Sequence, residues 1–158
     1  MSNDGFTLVE AVVCLAVVGI LGFFSFPVLS SMKANIILQA ETRKLVSQMQ
    51  RARFAAIMKN SYVVFTYNER GYETFVDDGS GGGVKNDRIR QPGEQLLSEY
   101  TLDPQVRIQT NESTFQYDRA LFSWKTGVKG GSIILQENGG AKNKITMNMV
   151  GRLLVKKL

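Results

Sequence analysis

Residues 5–24 read GFTLVEAVVCLAVVGILGFF, and this stretch decides how the rest of the chain is interpreted. From Ala11 to Phe24 the only polar side-chain group is the thiol of Cys14, whereas Glu10 places a carboxylate at the front edge of the run. Because an unpaired buried carboxylate is costly, Glu10 either lies near water at a helix start or has a partner inside the membrane.

The apolar segment is long enough to cross a membrane. With Phe26, Val28 and Leu29 it reaches residue 29, which as a helix spans a hydrocarbon core of about 30 Å. A secretory signal peptide would carry a Lys or Arg before its apolar core, and MSND carries none. A buried core helix of this length would need cover on every face. We therefore predict a transmembrane helix over residues 6–29.

The charges around this segment bear on its orientation. Lys33, Arg43 and Lys44 follow the segment, and no Lys or Arg precedes it. Taken alone, the positive-inside rule places the C-terminal part of the chain in the cytoplasm.

A second helical segment follows Pro27, which removes one backbone donor and is expected to bend or loosen the helix. Apolar residues recur at spacings of seven, four, three and four, which is typical of one helix stripe. These residues are Leu38, Leu45, Met49, Ala52 and Ala56. The pattern predicts an amphipathic stem helix over residues 30–60, with a stop at Asn60–Ser61.

From Tyr62 the period changes to two, which is typical of strands. Strands are predicted at 62–67, 72–77, 96–102, 106–110, 114–117, 120–124, 132–137, 144–149 and 152–157, the first two forming a hairpin. A long helix followed by short strands predicts an α+β fold, in which the stem packs on an antiparallel sheet of a β-rich head over residues 61–158.

The helix start has a local explanation. Thr7 and Glu10 have the spacing of a capping box, in which a Thr side chain and a Glu three residues later satisfy free backbone amides. A carboxylate in the first turn also interacts favourably with the helix dipole, by about 0.3–1 kcal/mol.

A family resemblance adds a second explanation. A short polar leader ending in Gly5, then Phe6 and TLVE over 7–10, then an apolar run with Gly19 and Pro27, resembles the prepilin signature of type IV pilins and type II secretion pseudopilins. One departure is that leaders in this family usually carry a Lys or Arg, and MSNDG carries none.

The resemblance implies specific events at the N-terminus. A membrane prepilin peptidase would cut between Gly5 and Phe6, removing a leader of residues 1–5, and would methylate the new amino group of Phe6. Glu10 would pair with the N-terminal nitrogen of a neighbouring subunit in a filament, and the helix would unwind between Gly19 and Pro27 on assembly. The family also implies a single-pass inner-membrane protein whose head is periplasmic, against the charge rule.

The downstream sequence narrows the family. LVSQMQRARFAAIMKNSYVVFTY (45–67), a late pattern of Phe122, Gly127, Gly131, Ile133 and Leu135, and ITMNMVGRLLV (145–155) are similar to the GspH/FimT group of minor pseudopilins. The resemblance implies a structural subunit of a type II secretion pseudopilus, involved in protein secretion. The alternative is a minor pilin of a type IV pilus, which primes assembly or binds DNA for uptake.

The net charge of +5 is unevenly distributed. Residues 31–60 and 119–158 are strongly basic, and residues 61–118 carry twice as many acids as bases. One interpretation is that acidic and basic faces of different subunits meet. Another is that a C-terminal basic strip contacts DNA. In a third interpretation, these basic residues form a solvated edge that contacts no partner. The strip comprises Lys125, Lys129, Lys142, Lys144, Arg152, Lys156 and Lys157.

The DNA hypothesis has one sequence argument against it. Some FimT-like minor pilins are similar here but carry Gly-Arg-x-Arg, whereas residues 151–154 read GRLL and lack the second Arg. DNA binding is therefore the weaker of the two contact hypotheses.

Catalytic and metal-site signals are weak throughout. The chain has no His, no nucleophile–base pair and no phosphate-binding loop, so we predict a non-enzyme without cofactor or metal. Asp77, Asp78, Asn86 and Asp87 lie in or beside the Gly-rich stretch 78–93, but their spacing differs from the EF-hand pattern. We predict a flexible surface loop there, and a core position for Trp124.

Overall fold

The computed structural model describes residues 7–109, 114–118, 121–124, 130–148 and 151–158. For 23–31, 114–118, 121–124 and 130 the description is limited to the backbone. The chain divides into two compact units, Met1–Ala34 and Asn35–Leu158.

The first unit contains the beginning of helix α1 (Leu8–Lys59). Over residues 8–22 its side chains are exposed, including Leu8 at 81% and Leu15 at 72%. Within the part of the chain that the structure describes, no helix has the length and apolar character needed to cross a membrane. The predicted transmembrane segment, residues 6–29, falls partly outside the described residues, at Phe6 and at the side chains of 23–29, and stays a prediction.

In the second unit α1 is amphipathic, as the periodicity predicts. The five residues of the predicted stripe are buried, with exposures of 0–2%: Leu38, Leu45, Met49, Ala52 and Ala56. The helix ends at Lys59 because Asn60 adopts φ 47°, a left-handed conformation that ends helices. The Ser61 amide then donates to the Ala56 carbonyl oxygen at 3.3 Å.

Nine strands follow in the described part of the second unit. They are β1 Tyr62–Tyr67, β2 Gly71–Asp77, β3 Leu96–Thr101, β4 Val106–Gln109, β5 Thr114–Asp118, β6 Leu121–Trp124, β7 Gly130–Glu137, β8 Lys142–Asn148 and β9 Leu153–Lys157. Each predicted strand has an observed counterpart, and the bounds differ by at most two residues. The predicted hairpin is β1–β2, paired from Tyr62↔Asp77 to Tyr67↔Tyr72.

The strands form two antiparallel sheets, with orders β3-β2-β1-β5-β6 and β4-β7-β8-β9. The α+β class is confirmed, but the expectation of one sheet is wrong. After β3 the chain passes the β1–β2 turn, where the Leu102 and Ile108 amides donate to the carbonyls of Arg70 and Glu69 at 2.8 and 3.1 Å. β4 then pairs with β7, and its alternating pattern buries Val106 and Ile108.

One hydrophobic core joins the stem to both sheets. It combines the helical stripe with inward-facing residues of five strands, since alternate strand positions point to the same side. Those strand residues are Val63, Phe65, Tyr67, Tyr72, Val76, Val106, Ile108, Ile133, Leu135, Ile145 and Met147. Each sheet also has a second face directed away from this core, and on that face of the five-stranded sheet Val64 and Phe75 are fully buried as well.

Candidate subunit-contact surfaces

The N-terminal motif is described from Thr7 onward, and Gly5 and Phe6 lie outside the described residues. The Glu10 amide donates to the Thr7 hydroxyl at 3.3 Å, and the Ala11 amide donates to the Thr7 carbonyl at 3.2 Å. Thr7 therefore caps the helix, as the local explanation of the motif expects. The Glu10 side chain is exposed and has no partner among the described residues.

The helix is continuous at the two positions where unwinding is implied. Gly19 has open space around it, since a Cβ built there would meet no atom within 4 Å. The backbone at Pro27 lies within α1, and its side chain is outside the described part. Unwinding between Gly19 and Pro27 stays a prediction about the assembled state.

A buried carboxylate fastens the stem to the five-stranded sheet. Glu41 is 4% exposed, and its Oε1 accepts hydrogen bonds from Lys44 Nζ and the Tyr100 hydroxyl, both at 3.0 Å. Lys44 Nζ also donates to the Tyr100 hydroxyl at 2.6 Å and lies 5.0 Å from the Tyr100 ring centroid. The hydrogen bonds to Tyr100 and Glu41 raise the pKa of Lys44, so its charge is held here.

A buried amide fastens the stem to the four-stranded sheet. Asn143 Nδ2 in β8 donates to the Thr42 hydroxyl at 3.0 Å, and this hydroxyl donates to the Leu38 carbonyl at 2.7 Å. Thr42 and Asn143 are 3% and 7% exposed, so both groups are paired where water is scarce. Glu41 and Thr42 are adjacent in sequence, and one helical turn therefore contacts both sheets.

Carboxylates organise the Gly-rich stretch through hydrogen bonds to its backbone amides. The predicted flexibility of the loop at 78–93 stays a prediction. Asp77 is fully buried and accepts hydrogen bonds from the Asn86 and Arg88 amides at 2.5 and 2.8 Å. Glu94 accepts from the Gly79 and Gln91 amides at 3.2 and 2.9 Å. Backbone N–H groups thus surround carboxylates that otherwise suggest a cation site.

This arrangement bears on whether the acidic residues of the Gly-rich stretch hold Ca²⁺. No group of three or more metal-binding side chains occurs among the described residues. Asp78 accepts a hydrogen bond from the Ser80 amide at 3.0 Å, and hydrogen bonds from Ser80 lower its pKa. The Asp87 carboxylate accepts from the Ile89 amide at 2.8 Å. These acids stabilise turns of the loop.

The structure brings three of the predicted basic residues onto one surface. Lys142 and Lys144 are alternate residues of β8, and Lys144 lies opposite Lys156 of β9. Buried Ile145 and Met147 occupy the other side of β8, so these lysines are on the outer face of the four-stranded sheet. Arg107 of β4 shares this face, because it aligns with Gln136, which aligns with Lys142. We call Arg107, Lys142, Lys144 and Lys156 the basic face.

The other predicted basic residues are placed elsewhere. Arg152 follows Gly151 in the β8–β9 turn, where its amide donates to Asn148 Oδ1 at 2.8 Å. Lys157 points to the opposite side of β9 and lines a groove of about 440 Å³ between the stem and β8–β9. Lys125 and Lys129, with the side chain of Trp124, lie outside the described residues.

Sequence reasoning missed Arg107 and the buried Glu41. Arg107 could have been found, because it alternates with apolar Val106 and Ile108 in a predicted strand. Glu41 could not, since its burial depends on Tyr100, 59 residues away.

Comparison with known proteins assigns the family. The profile of GspH, described as type II transport protein GspH, matches residues 41–151, and that of the prokaryotic N-terminal methylation motif matches residues 1–26. This chain belongs to the GspH family. The GspH match covers most of the head and part of the stem, and the methylation match covers the prepilin signature.

One curated protein is similar in sequence to this chain, and two solved structures are similar in fold. The chain is 29% identical to the pilin-like protein PilA1 of Thermus thermophilus, over 96% of this chain and 97% of that one. The fold resembles type IV minor pilin FimU of Pseudomonas aeruginosa, with TM-score 0.57 and 12% identity over 75% of this chain and 87% of that one. It also resembles the minor pseudopilin EpsH from the type 2 secretion system of Vibrio cholerae, with TM-score 0.50 and 12% identity over 76% of this chain and 96% of that one.

Proposed function

We propose that this GspH-family chain is a minor pseudopilin, a structural subunit of a type II secretion pseudopilus that takes part in protein secretion. The family match and the methylation motif support this function. The observation that carries it is the contrast along α1. From Leu38 onward the apolar stripe is buried in the head, whereas nine large apolar side chains between Leu8 and Leu21 are exposed.

The exposed apolar side chains of this part of α1 are more stable in apolar surroundings than in water. Burying a Val, Leu or Ile side chain stabilises by about 1.5–3 kcal/mol, so nine exposed ones strongly favour transfer out of water. Before assembly the bilayer supplies these surroundings. In a filament the neighbouring N-terminal helices supply them, and the same surface serves both states.

The N-terminal motif supplies the chemistry that links the two states. Prepilin peptidase cuts after Gly5 and methylates Phe6, which leaves a positively charged terminus four residues before Glu10. The Glu10 carboxylate, which is exposed and has no partner among the described residues, is then available to the terminus of a neighbouring subunit. In this proposal the protein is a single-pass inner-membrane protein with a periplasmic head, and it performs no catalysis.

A second candidate is a minor pilin of a type IV pilus. The likeness to PilA1 and FimU favours it, because their names place them among pilins. In this case the head would prime pilus assembly or, through the basic face and Arg152, contact DNA.

A complementation experiment tests the proposal and separates the two candidates. The chromosomal gene is deleted, and the wild-type gene, the Gly5→Val variant or a control with only synonymous changes is supplied in trans. Secretion of a type II cargo enzyme is expected to be lost on deletion, restored by wild type and not restored by Gly5→Val. Loss of twitching or DNA uptake with normal secretion would instead assign the chain to a type IV pilus.

A further inference from the structure

Strand β9 is an edge strand, because it pairs with β8 on one side and ends the four-stranded sheet on the other. In an antiparallel pair, every second residue directs its amide and carbonyl away from the neighbouring strand. The Leu158 amide donates to the Lys142 carbonyl at 2.9 Å, so the even-numbered residues of β9 face β8. The odd-numbered residues direct their backbone polar groups to the free edge, where no described residue pairs with them: Leu153, Val155 and Lys157.

Val155 lies on the core side of the sheet but is not covered there. Its cross-strand neighbour Ile145 points to the same side and is 1% exposed, whereas Val155 is 46% exposed. The core therefore ends between β8 and β9. An edge strand with uncovered apolar side chains is a site where another strand can add.

The free edge runs beside one flank of the stem. At the start of β9, Gly151 lies against Arg53, since a Cβ built on Gly151 would be 3.2 Å from Arg53 Cδ. At its end, Lys157 is opposite Asn143, whose Nδ2 donates to the Thr42 hydroxyl at 3.0 Å. The strand and the helix are thus neighbours along the whole length of β9.

A groove of about 440 Å³ lies between this flank and β8–β9, and we call it the stem groove. It is lined by a helical stripe with spacings of four, three and four and by the core side of β9. These residues are Gln39, Arg43, Val46 and Gln50 of the stem, and Val155 and Lys157 of β9. A strand paired with β9 would lie about 4.8 Å from it, and its core-side side chains would enter the groove.

The same stripe continues past the groove with apolar residues. Phe54 and Ile57 follow Gln50 at spacings of four and three, and they are 64% and 47% exposed. Exposed apolar side chains in a row along a helix favour contact with another protein segment.

The charges around the groove have one sign. Arg43, Lys156 and Lys157 are exposed, and none of them forms an ion pair with a described residue. No acidic residue of the described part of the chain lines the groove. Uncompensated cations beside a free strand edge favour an incoming strand that carries carboxylates. The β9 strand of a second copy carries the same cations and would not neutralise them.

We propose that the free edge of β9 and the stem groove bind an extended acidic strand of a partner protein by strand addition. Hydrogen bonds to the backbone of the odd-numbered residues supply affinity, and alternate side chains supply specificity. The partner residue opposite Val155 is apolar and covers it, and the residues opposite Lys156 and Lys157 are acidic. The site uses only β9 and the stem, so it goes beyond both candidate functions and depends on neither.

Peptide binding to the full-length chain in mild detergent tests this site. The probe is a fluorescein-labelled peptide, Thr-Glu-Glu-Val-Thr-Val-Thr, which in antiparallel pairing places its two Glu opposite Lys157 and Lys156 and its first Val opposite Val155. One control peptide has Lys in place of both Glu. The other is N-methylated at both Val amides, which would otherwise donate to β9. Fluorescence anisotropy at about 0.15 M salt is expected to give a Kd at least about tenfold lower for the probe than for either control.

A proline variant of the chain tests the backbone contact. Val155→Pro removes a free-edge amide and keeps the pairing with β8, because this amide faces away from β8. We expect it to raise the Kd of the probe at least about tenfold. Val155→Thr keeps the amide and the branched side chain, so it is the matched control and is expected to change the Kd less than about twofold. Thermal unfolding of both variants shows whether the head stays folded.

A charge variant on the stem leaves β9 untouched and decides the question if Val155→Pro does not fold. Arg43→Glu is expected to raise the Kd of the probe about fivefold, because it places a carboxylate beside the acidic strand. Arg51→Glu is the matched control, since Arg51 is exposed on the stem but does not line the groove. It is expected to change the Kd less than about twofold.

Each contrary result overturns the proposal. These results are equal affinity for the probe and either control peptide, no binding of the probe at about 1 mM, or equal losses with Arg43→Glu and Arg51→Glu. Sedimentation velocity of the same samples tests the other occupant. A wild-type dimer that Val155→Pro converts to a monomer would show that a second copy occupies the edge instead of a partner strand.

Discussion

Replacing Leu45 with Ala probes how the stem helix is held in the head. Leu45 has no exposed surface and belongs to the core that joins the helix to both sheets. Leu→Ala substitutions at buried sites cost about 2–5 kcal/mol, and more where the cavity cannot collapse. Because Leu45 lies one turn beyond Glu41 and Thr42, which fasten the helix to both sheets, the cavity has little freedom to close. We expect a loss of about 3–4 kcal/mol in the free energy of unfolding.

The magnitude can be converted to a melting temperature. For the second unit, Asn35–Leu158, typical unfolding entropies predict a decrease of roughly 10–15 °C. The assay is thermal unfolding of the full-length chain in mild detergent, followed by near-UV circular dichroism. Phe54→Ala is the matched control, because Phe54 is on the same helix but 64% exposed, and its loss should fall below about 1 kcal/mol. Equal shifts for both variants would refute the claim that this stripe holds the stem in the core.

Three further outcomes are expected. Asp77→Ala removes the acceptor of two backbone amides and should lower the free energy of unfolding by about 3 kcal/mol. It should also open the 78–93 loop to limited proteolysis, whereas Asp78→Ala should leave the loop protected. Equal protection of the loop in both variants would contradict this role of Asp77. Burial raises the pKa of the Tyr72 hydroxyl. The stability that its bound proton contributes is therefore complete below the unfolded pKa of about 10 and declines above it. Urea midpoints measured between about pH 9 and 11 should fall less steeply with pH for Tyr72→Phe than for wild type, and equal slopes would refute this. Glu10→Leu should still insert into membranes but enter sheared filaments poorly, and unchanged incorporation would leave Glu10 only its place at the helix start.

The stem was predictable because its burial follows from one local period. Residues at helical spacing share a face whatever lies opposite, so Leu38 to Ala56 could be assigned to the core from sequence alone. The strands were predictable for the same reason. Pairing was not, since β4 pairs with β7 across an intervening hairpin, and nothing local in VRIQ distinguishes β7 from β3 as its partner.

The basic face was likewise predictable within each strand but not across strands. Lys142, Lys144 and Lys156 were recognised as basic, and their alternate spacing indicates a common face within each strand. The register that sets Lys144 opposite Lys156 requires the β8–β9 turn geometry, including Gly151 at φ 77°. The hydrogen bonds that Asp77 accepts from the Gly-rich loop were not predictable, because this buried carboxylate is part of β2 and its partners lie nine and eleven residues later.

The N-terminus of the mature chain shows whether the protein is processed as a pseudopilin. The protein is purified from membranes of cells with and without prepilin peptidase, and its intact mass and terminal peptide are measured. With the peptidase present, we expect the chain to lack residues 1–5 and to begin with a Phe6 that carries one methyl group. An unprocessed Met1 terminus in cells that contain the peptidase would contradict it.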